Sequence, residues 1–120
     1  MILQDFDFEK LRVYQKGLEF IHEIFGVYKK LPREFQYSLG DNLIRAGLSI
    51  TNNLAEGIGK KFKKEKARYY GTSLDSAREC ASVFNVLLKE ERIEEKMYLK
   101  LRLMAKEITS MRYGLRNSLE

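Results

Sequence analysis

The chain has 120 residues, 44% hydrophobic and 32% charged, with a formal net charge of +5. This is the length of one domain with one core; it is too apolar for disorder, and no run approaches the ~20 apolar residues of a membrane span. A lone Cys80 permits no internal disulfide, and Met1-Ile2-Leu3-Gln4-Asp5 lacks the basic start and apolar segment of a signal peptide, so a reducing, cytoplasmic setting is expected.

Proline occurs once, and apolar residues recur at steps of three and four, the period of a helix face. The first helix is predicted to start near Asp5 or Asp7. Its stripe is Leu11, Tyr14, Leu18, Ile21, Phe25 and Tyr28, and Pro32 ends it. Ile24, Val27 and Leu31, with Phe6 and Phe8 beside them, widen this face, and such a surplus suggests a subunit interface. A short connection over residues 33–37 leads to Ser38 and Asp41, spaced as a capping box for the second helix.

That helix places Leu39, Leu43, Ala46, Ile50 and Leu54 on one face, and its small residues Ala46, Gly47, Ser49 and Ala55 allow a close neighbour. Gly57 and Gly59 are expected to stop it in left-handed conformations. The third helix carries a seam of Tyr70, Leu74, Ala77, Ala81, Phe84 and Leu88. The fourth carries Ile93, Met97, Leu101, Met104, Ile108, Met111 and Leu115 among basic residues that include Arg112 and Arg116. Four helices with short connections predict an all-α, up-down-up-down antiparallel four-helix bundle, a single domain over residues 1–120.

The inventory for catalysis is poor. His22 is the one histidine, so a bundle metal site built on two Glu-x-x-His pairs cannot form, and a solvated helix residue is expected. Cys80 has no base near it in sequence and reads as a small packing residue. Gly57-Ile58-Gly59 lacks the strand and the ending of a phosphate loop. No enzymatic activity, metal or cofactor is predicted.

Two polar features stand out. Lys60, Lys61, Lys63, Lys64, Lys66 and Arg68 face a single acid, Glu65, so this segment carries +5, as much as the whole chain. Such a run suits nucleic-acid phosphates, with Phe62 or Tyr69 stacking on bases if exposed; Tyr70, on the seam, is expected in the core. An acidic protein surface would be served by the same charges, so a protein-interaction scaffold remains the alternative. Asn53 and Glu56, three apart, point to one side of the second helix and read as a structural fastening near its end. A carboxylate there opposes the helix dipole, so Glu56 should have a partner such as Arg45, Arg68 or Arg78.

Ser49-Ile50-x-x-Asn53-Leu54-Ala55-Glu56-Gly57 closely resembles the signature of proteins encoded within intervening sequences of bacterial 23S ribosomal RNA genes. Phe8-x-x-Leu11-x-Val13-Tyr14-Gln15, Leu31-Pro32-x-Glu34, and Tyr69-Tyr70 with Ser76-Ala77-Arg78-Glu79-Cys80 are similar to further motifs of that family. The likeness spans roughly Phe8 to Leu88. It departs at Asn42-Leu43-Ile44-Arg45, which keeps one of two family arginines, at Asp75, and in the heavier basic run. The resemblance implies an up-down bundle, a homopentameric ring and no known catalysis. It also implies kinship with the accessory protein of diversity-generating retroelements, which binds nucleic acid through basic surface. By that likeness, RNA or DNA is an expected partner, with RNA favoured.

Overall fold

The computed structural model describes residues 5–111. Among them the regular structure is helical, in four main elements: α1 (Arg12–Lys30), α2 (Asp41–Ile58), α3 (Lys63–Lys89) and α4 (Glu95–Ser110). Each packs along its sequence neighbour, and α1 also packs on α4, which closes the antiparallel bundle. The longest helix, α3, has 27 residues, about 40 Å at the α-helical rise, and the bundle measures 44 × 33 × 23 Å. No described helix is long and apolar enough to cross a membrane.

Before α1 lies a 3-10 turn, Asp7–Lys10, in which the Glu9 carboxylate accepts from the Phe6 backbone N–H at 2.7 Å. The α-helix therefore starts five residues beyond Asp7, later than its acids suggest. Its buried face also differs from the predicted stripe. Val13, Gly17, Phe20, Ile21, Ile24 and Val27 are buried, whereas Leu18 and Phe25 are 40% and 41% exposed. The widening residues Ile24, Val27 and Leu31 are thus core, not surplus. The pattern misled because one member of the true row is Gly17, which presses against Thr51 and Ile50 of α2 and carries no hydrophobic signal of its own.

Pro32 ends α1 as expected, but no loop or capping box follows. The chain is already helical at Arg33–Phe35, runs through a π-helical turn at Gln36–Gly40 and continues into α2. The Ser38 hydroxyl donates back to the Glu34 carbonyl at 3.1 Å, and Asp41 accepts from the Tyr28 hydroxyl at 3.2 Å. Gln36 Nε2 donates at 2.9 Å to the Tyr28 carbonyl, which also accepts from the Leu31 N–H at 3.1 Å, so this acceptor at the end of α1 is doubly bonded.

Phe20 and Phe84 meet edge-to-face at the centre of the core, ring centroids 5.9 Å apart. On α3 the core face takes in Ser73, Ser76, Cys80, Val83 and Leu87 beside Tyr70, Leu74, Ala77 and Phe84, while Ala81 and Leu88 are half-buried. The predicted heptad was therefore one edge of a wider face that includes two serines. On α4 the buried residues are Leu101, Ala105 and Ile108, with Met97 and Met104 partly covered. Arg112, Leu115 and Arg116 lie outside the described residues.

The α3–α4 turn contains no glycine, yet it is sharply made. Arg92 N–H bonds to the Leu87 carbonyl at 2.8 Å and Glu91 N–H to the Leu88 carbonyl at 3.0 Å, the paired bonds of a Schellman end. Glu91 fills the left-handed position, with φ of 57°.

Candidate nucleic-acid interface

The site begins with how α2 and α3 are held together. Ser73 Oγ, fully buried on α3, donates to the Ile50 carbonyl of α2 at 2.8 Å. A serine side chain is short, so this bond requires the two backbones to run close together. Beside it, Ser76 Oγ lies 2.8 Å from Ser49 Oγ and 2.9 Å from the Thr72 carbonyl. Asn53 Nδ2 donates to the Ser49 carbonyl at 2.8 Å and to Ser49 Oγ at 2.9 Å. Each hydroxyl has one proton. Ser76 thus shares its one proton between Ser49 Oγ and the Thr72 carbonyl, and Ser49 Oγ also accepts from Asn53.

Asn53 therefore fastens to Ser49, and through it to α3. Glu56 faces solvent and pairs with Lys60 at 3.7 Å, one helical turn on. None of the three expected arginines pairs with it: Arg45 binds Asn42 and Glu79, Arg68 lies over Tyr69, and Arg78 forms no ion pair among the described residues. The sequence marks Ser73 only as a serine at core spacing on the third helix.

Gly57 does not turn the chain through a left-handed conformation; it is helical and buried, and no described glycine has positive φ. A Cβ there would meet Tyr70 Cε1 at 2.7 Å and Tyr69 Cβ at 3.0 Å. Its place is thus a close crossing, where α3's first aromatic residues lean on the end of α2. Tyr70 is buried, as the seam implied.

The basic run caps this end of the bundle, and the structure divides it. Lys66 Nζ donates to the Ile58 carbonyl at 2.7 Å and reaches the Gly57 carbonyl at 3.5 Å, so its charge sits on the C-terminal acceptors of α2. Lys60 is shared between Glu56 and the Tyr69 ring, 5.2 Å from its centroid. Lys61, Lys63 and Lys64 are exposed and form no ion pair among the described residues. Arg68 is exposed, with its guanidinium 5.0 Å from the Tyr69 centroid.

Lys63 and Lys64 occupy the first turn of α3, where the helix dipole is positive and only Glu65 is acidic. Cations at that end cost about 0.3–1 kcal/mol each at exposed positions. The residue before them, Phe62, stands at the N-cap with no side-chain bond, where Ser, Thr, Asp or Asn would contribute about 1 kcal/mol. A bound anion would relieve the first cost, since the first-turn N–H groups of a helix have no intrahelical acceptor and two lysines stand in the same turn.

At the opposite end, a cavity of about 590 Å³ opens between α1 and the Schellman turn, lined among others by Glu23, Lys30, Glu91, Arg92, Glu94 and Met97. Its charges are mixed, so it offers no field of one sign. His22 is exposed, and the described residues contain no group of three or more His, Cys, Asp and Glu able to hold a metal.

These features define a class: an all-α four-helix bundle with a serine-fastened α2–α3 pair and positive charge concentrated at one end. The chain belongs to the 23S rRNA-intervening sequence protein family, whose sequence model matches residues 9–114. No catalytic role is known for that family. A crystal structure of a protein of unknown function from the S23 ribosomal protein family of Bacteroides thetaiotaomicron is similar in fold, with a TM-score of 0.80 and 24% sequence identity. The likeness covers 88% of this chain and 95% of that one. Comparison with curated proteins found no match.

Proposed function

We propose that this chain is a non-catalytic, nucleic-acid-binding bundle that engages RNA through the α2–α3 turn, and that it acts as a homopentamer. The observation that carries this reading is the group Lys61, Lys63 and Lys64, exposed at the positive end of a 27-residue helix without an acidic partner among the described residues. Phosphates supply the charge that this turn lacks, and Arg68 adds a fourth cation. Lys66 serves the fold, and Lys60 is partly neutralised by Glu56.

Self-association is supported by Leu18 and Phe25, seven residues apart on the outer side of α1 and each about two-fifths exposed. Five copies would raise +5 to roughly +25 and turn weak sites into firm binding through avidity. The cytoplasm suits a partner of this kind.

The test is RNA binding as a function of salt. With about four cations on phosphates per site, log affinity should fall against log salt with a slope near −3. Replacing Lys61, Lys63 and Lys64 together by glutamine should flatten the slope by about 2. Binding that ignores salt, or survives the triple replacement, refutes the RNA reading, and light scattering that returns a 14.1 kDa monomer refutes the ring.

A protein partner is the second reading, favoured by Leu99 and Leu103. They lie one turn apart on α4 and are 58% and 62% exposed. Co-purification of a protein, with no nucleic-acid absorbance in the preparation, would support it.

A further inference from the structure

We infer that the basic turn selects unpaired nucleic acid over duplex, with Phe62 as the platform on which a base stacks. This rests on the nucleic-acid reading above and adds the kind of strand recognised. Phe62 is 62% exposed, on an extended backbone with φ of −97° and ψ of 140°, immediately before the first turn of α3. It lies between Lys61 and Lys63, and the Lys61 ammonium is 5.7 Å from its ring centroid. Tyr69, half-buried at the same end, already has Lys60 and Arg68 over its ring.

The position is informative because an N-cap favours a small polar residue that can accept from the helix N–H groups. A phenylalanine forgoes that bond, and here it leaves most of its ring in water as well. Neither the fold nor phosphate attraction explains it. Lysines alone would serve a duplex, whose backbone is recognised by charge while its bases stay stacked on one another. An unpaired base presents a free π-face, which an exposed ring amid cations can take up while the flanking phosphates meet Lys61, Lys63 and Lys64.

The experiment compares two RNAs by fluorescence anisotropy at one fixed salt: an unstructured single strand and the duplex formed from it with its complement. The single strand should bind more tightly. Phe62→Ala should weaken it about tenfold, the loss expected for one stacked base, while changing duplex binding less than twofold. Phe62→Tyr should restore most of the affinity, and neither variant should alter the salt slope. Because Phe62 is exposed, both variants should keep the wild-type melting temperature.

Single-strand binding that depends on the three lysines but is unchanged in Phe62→Ala would overturn this inference and leave the charge reading intact. Equal losses for strand and duplex would overturn it too. If Phe62→Ala instead lowers the mass seen by light scattering, the ring belongs to self-association and the inference is wrong. No RNA binding in any form would remove both readings together.

Discussion

The Lys66 ammonium lies 2.7 Å from the carbonyl of Ile58, across the turn that joins α2 to α3. One lysine of the six basic residues between Lys60 and Arg68 is thereby used to close a helix, while Lys61, Lys63 and Lys64 are left to the solvent. The separation has a direct consequence. Lys66→Met should lower stability by about 1–2 kcal/mol, since it removes a charge-assisted bond to the end of α2. Replacing Lys61, Lys63 and Lys64 by glutamine should leave stability unchanged or slightly raised, because those charges oppose the dipole of α3. Urea denaturation of the two variants checks this, and equal losses would contradict the division.

Two glycines should respond in opposite directions to the same change. At Gly57 a methyl group would press on the Tyr70 ring and on Tyr69 Cβ, so Gly57→Ala should destabilise by roughly 1–3 kcal/mol. At Gly26 a Cβ meets nothing within 4 Å. There the greater helix propensity of alanine should raise stability by up to about 1 kcal/mol. Thermal melts of both variants are sufficient, and a stabilised Gly57→Ala would show that the crossing is looser than its geometry.

Glu91 holds the left-handed position of the α3–α4 turn, a conformation that costs a non-glycine residue about 1–2 kcal/mol. Asparagine tolerates it better, so Glu91→Asn should stabilise by about 0.5 kcal/mol. Glu91→Val, with a β-branched side chain, should destabilise by about 1 kcal/mol. The ordering Asn, Glu, Val in denaturation midpoint is the expected result.

Cys80 is fully buried, and its thiol is pushed up to about 12, first by desolvation and then by the Glu79 charge, with Arg45 opposing. It should therefore resist alkylation at pH 8 until the protein unfolds. The folded thiol keeps its proton longer than the unfolded one, so the contribution is intact below pH ~9. It is lost as pH rises toward 12, at about 1.4 kcal/mol per unit. Comparing wild type with Cys80→Ala across this range isolates the thiol from the lysines and tyrosines that also titrate. A pH profile identical in the two would refute the shift.

How much of this was legible beforehand varies by residue. Helix number, order and the stop at Pro32 follow from periodicity and from one ring that lacks an N–H. The burial of Tyr70 follows from its spacing, whereas Cys80 lies one position off the predicted seam and is buried because the core face of α3 is wider than that seam. The true face of α1 does not, because Gly17 joins the core by letting Thr51 and Ile50 approach, and a hydrophobic stripe cannot include a residue with no side chain. Ser73 and Ser76 were missed for a related reason: their burial depends on acceptors in another helix. Charge alone likewise gave Lys66 and Lys61 the same standing.

The sequence by itself determined the helical class, the four-element order, the family signature over Ser49 to Gly57 and the place where positive charge accumulates. These depend on neighbours a few residues away, which periodicity and composition record. Only the tertiary structure decided that Asn53 fastens to Ser49 rather than to Glu56, that Gly57 makes a crossing rather than a turn, and that Lys66 closes α2 while Phe62 remains in solvent. Each of those outcomes depends on which atoms another helix brings within about 3 Å, and that distance is set by packing rather than by order along the chain.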